Sequence, residues 1–308
     1  MHFLFFVYYI CIKRFFYVFE IFSKHHLIVN NMKFQVQEIG KHKNFSRRNN
    51  NLFIRLNNVC GFLLFAAASF FIFPNIAKAQ NENLLFDRLS VNLKIQNMHL
   101  WHGSVVTPGA MMASSIEYTS SNEKLIAGLW GGASFNGQYK EFSYYTTYHF
   151  TRNFDISLIS HNNYSNSEEV NIFSYDKHTS PNFVDIVFQY TVSDQLPLKL
   201  CWSTILFGNG GDFKVNKDNT DTNSYSNYVE LSYTFFSEKE TSLKLFAGGA
   251  FSFVTEKTFY SNNSNITNLG VTINKKVNLL SNTVPVLATA FWNPETKLGA
   301  LLLSVSIF

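Results

Sequence analysis

Eight ionisable residues sit at the polar positions of alternating runs: Lys94, Glu117, Glu141, His149, Asp185, Lys199, Glu230 and Lys244. Four acids, three lysines and one histidine facing a common water-filled space could set ion preference, since rings of charge select what passes a pore. The same residues could instead neutralise one another and fill a narrow interior, as side chains do in small barrels. Both readings remain open at the level of sequence.

Nucleophilic chemistry has weaker support. His99, His149 and His161 each have a serine within reach in sequence, and Ser160-His161 are adjacent. Adjacent strand residues point to opposite faces, so that pair cannot act as nucleophile and base. Ser143 or Ser157 with His149 would need a cross-strand arrangement that sequence does not specify. A barrel-embedded lipid hydrolase is thus the enzymatic alternative, and a non-enzyme is expected. His99 and His102, or Asp176 and His178, lack a convergent set of metal ligands with recognisable spacing. Gly208-Asn209-Gly210-Gly211 has no helix behind it and reads as a turn, not a phosphate cradle. No metal and no cofactor are expected.

The elements that would position these groups are strands. From residue 80 onward, runs of about nine to twelve residues alternate with period two and are rich in Tyr, Phe, Thr and Val. Phe142, Tyr144, Thr146, Tyr148 and Phe150 share one face, and Glu141, Ser143, Tyr145, Thr147 and His149 share the other. Twelve strands are predicted near 89–101, 110–118, 125–134, 141–150, 154–163, 183–190, 198–206, 226–235, 242–252, 266–276, 284–292 and 298–308. Connections after the even-numbered strands are compact. Those after strands five, seven and nine, Tyr164 to Asn182, Phe207 to Tyr225 and Phe253 to Asn265, are long and rich in Asn, Ser and Asp.

Long connections at one end, short ones at the other and an even strand number are the marks of an outer-membrane barrel. The fold class expected is therefore all-β, a transmembrane antiparallel up-and-down β-barrel of about twelve strands. A secreted sandwich also alternates, but it would solvate its outer faces with charge. Residues 80–308 hold only 34 Asp, Glu, Lys and Arg in 229 positions. Trp101, Trp130, Trp202 and Trp292 lie in or at the ends of predicted strands, where an interfacial aromatic girdle would place them.

Charge divides the chain into domains. The 308 residues carry a formal +4, but the first 79 alone carry +8 and the remainder −4. That boundary coincides with basic residues to Arg55, an apolar run from Gly61 to Phe73 and Ala77-Lys78-Ala79, the order of a secretory signal. Thirteen apolar residues fall short of the ~20 that a helical span needs. Cleavage after Ala79, leaving Gln80 first, is expected. Residues 32–79 read as the signal peptide, residues 1–31 as an upstream mis-start or unassigned segment, and 80–308 as the barrel. Sec-dependent export to the cell outer membrane follows. The basic excess belongs to the leader, so no nucleic-acid partner is implied. Cys201 stands alone after residue 80, which leaves no intramolecular disulfide there.

Several segments resemble a known group. Leu100-Trp101-His102-Gly103 at the end of the first predicted strand, Tyr118, Ile126-Ala127-Gly128-Leu129-Trp130-Gly131 and the Glu141–Tyr148 strand look like the TorF-type porin family of Gram-negative outer membranes. In that family the first strand ends in a Trp-Arg-Gly-like motif; here His102 stands in place of the arginine. The resemblance implies a barrel with channel activity. Phe308 is a terminal aromatic of the kind the barrel-assembly machinery engages, although Leu301, Leu303, Val305 and Ile307 are out of phase with it. The function expected is a passive channel for small solutes in the lipid bilayer. The alternative is a structural or adhesive barrel whose long loops bind outside partners.

Overall fold

A computed structural model describes residues 86–165, 171–208, 211–279 and 282–307. The predicted signal segment, its Ala77, Ala79 and Gln80 cleavage site, and Phe308 lie outside the described residues.

Among the described residues sixteen strands follow one another: β1 (Leu89–Gln96), β2 (His99–Trp101), β3 (Ser104–Thr107), β4 (Met111–Thr119), β5 (Leu125–Ser134), β6 (Lys140–Thr151), β7 (Phe154–Asn163) and β8 (Phe183–Thr191). Then come β9 (Leu198–Gly208), β10 (Phe213–Val215), β11 (Asp221–Asn223), β12 (Asn227–Glu238), β13 (Thr241–Phe251), β14 (Asn265–Leu279), β15 (Asn282–Asn293) and β16 (Leu298–Ser306). Twelve of them close an antiparallel barrel in the order β1-β16-β15-β14-β13-β12-β9-β8-β7-β6-β5-β4. Two small hairpins, β2-β3 and β10-β11, stand apart from the wall.

Register carries one alternation around the whole barrel. Glu117 pairs with Gly128, Gly128 with Tyr145, Tyr145 with Ile159 and Ile159 with Asp185, all facing inward. On the other parity Val91, Ile95, Met112, Ile116, Leu129, Leu231, Phe235, Leu245, Ile273, Leu301 and Leu303 are exposed. Such a surface is unstable in water and stable against hydrocarbon, and closure pairs the backbone groups that lipid could not solvate. The exterior is thus a lipid-facing face built by period-two patterning.

The short connections, 152–153, 192–197 and 239–240 among them, lie at the end where β1 begins and β16 finishes. The long ones, 164–182, 209–226 and 252–264, lie at the opposite end. A further long connection, 97–110, corrects the expected first strand of 89–101: the wall strand stops at Gln96, and the chain turns into the interior as the β2-β3 hairpin. Trp101 pairs with Ser104, leaving a two-residue turn in which His102 (φ 49°) and Gly103 (φ 81°) both take positive φ. That is the combination a type I′ hairpin requires. A Cβ on Gly103 would lie 2.0 Å from the Thr267 carbonyl oxygen, so only glycine allows the turn to approach the β14 backbone this closely.

The loop 171–182 folds back over the outer face of the wall. Ser160 and Asn162 have outward parity yet are buried, because the Tyr175 hydroxyl reaches Ser160 Oγ at 2.6 Å and also bonds to Tyr144.

Candidate functional site

The hairpin divides the upper lumen. On one side Trp101 and His102 join the core formed by Phe183, Ile205, Tyr228, Ala250 and Tyr260. The Trp101 ring lies 5.3 Å from Tyr260, 5.3 Å from His161, 5.8 Å from Phe183 and 5.9 Å from Phe259. His102 sits 4.0 Å from Tyr228. The Asn293 side chain, itself buried, donates to the Gly103 carbonyl at 2.9 Å and fixes the tip. On the other side Val106 packs with Met111, Ala113, Tyr139 and Trp130, and His99 stacks on Trp130 at 5.8 Å.

Burial in this aromatic setting pushes the His102 imidazole down to about 3, well below its ordinary value, because a charged ring there would lose its water. Burial lowers His99 as well. Both rings are therefore neutral at neutral pH.

Beside the hairpin, along the inward faces of β6 and β7, the lumen keeps a cavity of about 910 Å³. Its floor and walls include Tyr145, Thr147 and Ile159, and its rim includes Tyr164, Thr179 and Pro181 from the long-loop end. In its wall, register places Glu141, His161 and Asp185 in one polar cluster, of which Glu141 and His161 line the cavity and Asp185 is buried behind them. The His161 ring lies between the two carboxylates, with Nδ1 3.4 Å from Glu141 Oε1 and Nε2 3.2 Å from Asp185 Oδ1. The Tyr139 hydroxyl and Ser143 Oγ donate to Glu141 at 2.8 and 3.1 Å, and Ser203 Oγ donates to Asp185 at 3.2 Å. Hydrogen bonds of this number are what let buried carboxylates persist.

All eight ionisable residues singled out from sequence lie on the inward face, but they do not form one ring. Glu141 and Asp185 belong to the His161 cluster. Glu117 accepts from Tyr145, whose ring lines the cavity. Glu230 accepts from Tyr228 at 2.6 Å and from the Asn268 amide at 3.1 Å. His149 Nδ1 sits 2.5 Å from Asp155. Lys94 faces inward opposite Ala113, Lys199 opposite Ser232 and Lys244 opposite Thr234. The lysines lie away from the cavity lining.

Two of the four expected girdle residues are misplaced. Trp202 and Trp292 face outward, 38% and 49% exposed. Trp101 and Trp130 do not: the first is carried inward by the hairpin, and the second has the inward parity of Ser115 and Ser143, its cross-strand partners. Lumen packing has claimed these two rings in place of the lipid interface.

The pairs considered for hydrolysis, Ser160 with His161 and Ser143 or Ser157 with His149, are not brought together, although register sets Ser143 opposite His161, where both side chains meet Glu141 Oε1. Ser157 Oγ pairs with Thr147 at 2.7 Å, Ser143 serves Glu141, and Ser160 faces outward to Tyr175. Sequence reasoning missed the β2-β3 hairpin, Tyr139, Phe259 and Tyr260 as parts of the site. One available signal was the short β-branched run Val105-Val106-Thr107 directly after the Gly103 turn.

No family model matches the chain, and no curated protein matches it. The TorF-type resemblance therefore rests on the quoted segments alone. Among solved structures, LpxR from Salmonella typhimurium is 8% identical with a TM-score of 0.33, covering 70% of this chain and 98% of that one. The outer membrane protein opdK from Pseudomonas aeruginosa is 12% identical with a TM-score of 0.32, covering 71% and 65%. OccD1 (OprD) is 10% identical with a TM-score of 0.31, covering 72% and 65%.

Proposed function

We propose that the chain is an outer-membrane β-barrel that acts as a passive channel for small solutes, entered from the long-loop end through the cavity beside the β2-β3 hairpin. The observation that carries this reading is the cavity itself: about 910 Å³ inside a lipid-facing wall, with a mixed polar and aromatic lining. Lumen size grows with strand number, and this twelve-stranded wall holds the inward hairpin and the cavity side by side. Export through a signal peptide ending at Ala79, a TorF-type relationship and engagement of the assembly machinery through the β16 end and Phe308 belong to the same proposal. Purified protein in planar bilayers should give discrete conductance steps, and a reconstituted, folded barrel that gives none would overturn the channel reading.

A second reading, an adhesive barrel, has one observation in its favour. Loops 164–182 and 209–226 are clasped by Asp221, which meets Lys177 Nζ at 3.1 Å and His178 Nε2 at 2.7 Å, so the external face presents a tied surface. Deleting the loops should then abolish surface binding and leave assembly intact.

A further inference from the structure

We propose that the luminal cavity is a binding site for a small organic cation, a quaternary or protonated amine carried on a flat, apolar body. This inference rests on the cavity being reachable from solution, as the channel reading requires.

Two independent features of the lining point the same way. The first is charge. Glu141 lines the cavity directly, and no Lys or Arg is among the described residues that line it. His161 cannot reverse the sign: with both carboxylates ionised, the Glu141-His161-Asp185 cluster is net −2 with a neutral ring and −1 with a protonated one. His99, the other histidine of the lining, is buried and neutral, and adds no positive charge. Below the cluster, Tyr145 presents its ring to the cavity and its hydroxyl to Glu117, which places a further carboxylate behind the wall.

The second is the aromatic wall. Trp101, Phe183, Phe259 and Tyr260 form a contiguous set, with Trp101–Tyr260, Phe183–Phe259 and Phe259–Tyr260 centroids 5.3, 5.3 and 5.2 Å apart. Trp130 lines the cavity from β5. Ring faces attract a cation placed within about 6 Å through their quadrupole, most strongly when water is excluded. An anion meets the same faces unfavourably and also meets Glu141. A fully hydrated metal ion would gain little from the rings, so the geometry favours a weakly hydrated organic cation over an inorganic one.

The test is calorimetric, on the full-length protein purified in an uncharged detergent, with phenyltrimethylammonium, benzyl alcohol and benzoate as probes sharing one ring. The cation should bind at least about tenfold more tightly than the alcohol, and benzoate more weakly still. Equal affinities, or a preference for benzoate, would overturn the assignment. Glu141→Gln should shrink the preference for the cation over the alcohol to the part the rings supply, and Glu141→Asp should keep it whole; a preference unchanged in Glu141→Gln also counts against the proposal. Heat-modifiable gel mobility reports whether each variant barrel has assembled, and if Glu141→Gln does not assemble, the three probes on the unaltered protein decide alone. Binding and conduction are read separately. A barrel that selects the cation without conducting leaves this inference standing and removes the channel, whereas one that conducts with no preference among the probes does the reverse.

Discussion

Replacing Gly103 by alanine should release the hairpin from the lumen while leaving the barrel wall folded. At φ 81° an L-residue pays about 1–2 kcal/mol relative to glycine. The new methyl would stand 2.0 Å from the Thr267 carbonyl oxygen and 2.9 Å from the Asn268 Cβ, so the tip must also retreat. Retreat breaks the 2.9 Å bond from Asn293 to the Gly103 carbonyl, and a buried amide without its acceptor costs about 1–3 kcal/mol. Together these amount to about 3 kcal/mol, or roughly a hundredfold in the ratio of docked to undocked hairpin. Hydrogen exchange reads the ratio directly: amides of 99–107 should lose about a hundredfold in protection while those of β6, β7 and β14 keep theirs. Gly137 supplies the control, because it has φ 74° but its Cβ would meet nothing within 4 Å. Gly137→Ala should therefore carry the backbone cost locally and leave the hairpin untouched. Unchanged protection in Gly103→Ala, or protection lost throughout the barrel, would refute the view of the hairpin as a separately docked element.

Acid should loosen the same hairpin. His102 is held down to about 3 in the docked state against 6.5 when solvated, so the undocked state takes up the proton first. Docking is at full strength above pH 6.5 and weakens as pH falls toward 3, by up to about 1.4 kcal/mol per unit; nearby Asp185 opposes the shift and His161 adds to it. Exchange of the hairpin amides, corrected for intrinsic rates, should rise between pH 7 and 5, and His102→Asn should reduce that slope. Bilayer-borne quenchers should reach Trp202 and Trp292 and spare Trp101 and Trp130; Trp202→Phe combined with Trp292→Phe should abolish the quenching, and residual quenching in that double variant would contradict the inward placement. N-terminal sequencing of exported protein should begin at Gln80, and an intact leader would remove the signal-peptide assignment.

The wall was legible because its code is local. A strand with one face in lipid and one in the lumen must alternate, and Phe142 to Phe150 against Glu141 to His149 does so without interruption. Turn positions followed from the same pattern, and the wall strands β5, β7 and β8 begin where alternation begins, at Leu125, Phe154 and Phe183. The interior was legible only in outline. Parity identifies Glu141, His161 and Asp185 as inward, but their meeting depends on register across β6, β7 and β8, which no single strand encodes. Trp101 and Trp130 were misread for a related reason: an aromatic near a strand end serves equally well as an interface anchor or as filling for a lumen. Only the position of the hairpin distinguishes the two. The burial of Ser160 and Asn162 likewise depends on a loop returning over the wall, a long-range contact with no signature in the strand itself.

The early departure of β1 from the wall has a mechanical consequence. Against β16 it offers Lys94, Ile95 and Gln96 opposite Ser306, Val305 and Ser304, whereas β4 accompanies β1 from Leu89 to Gln96. Above that short stretch the edge of β16 would be bare in hydrocarbon, and Asn97 covers part of it with its side chain, donating to the Leu301 carbonyl at 2.9 Å and accepting from the Leu303 amide at 2.8 Å. The cylinder therefore has a longitudinal line of weakness directly beside the root of its own internal hairpin. Force applied across the wall should open it along that line first.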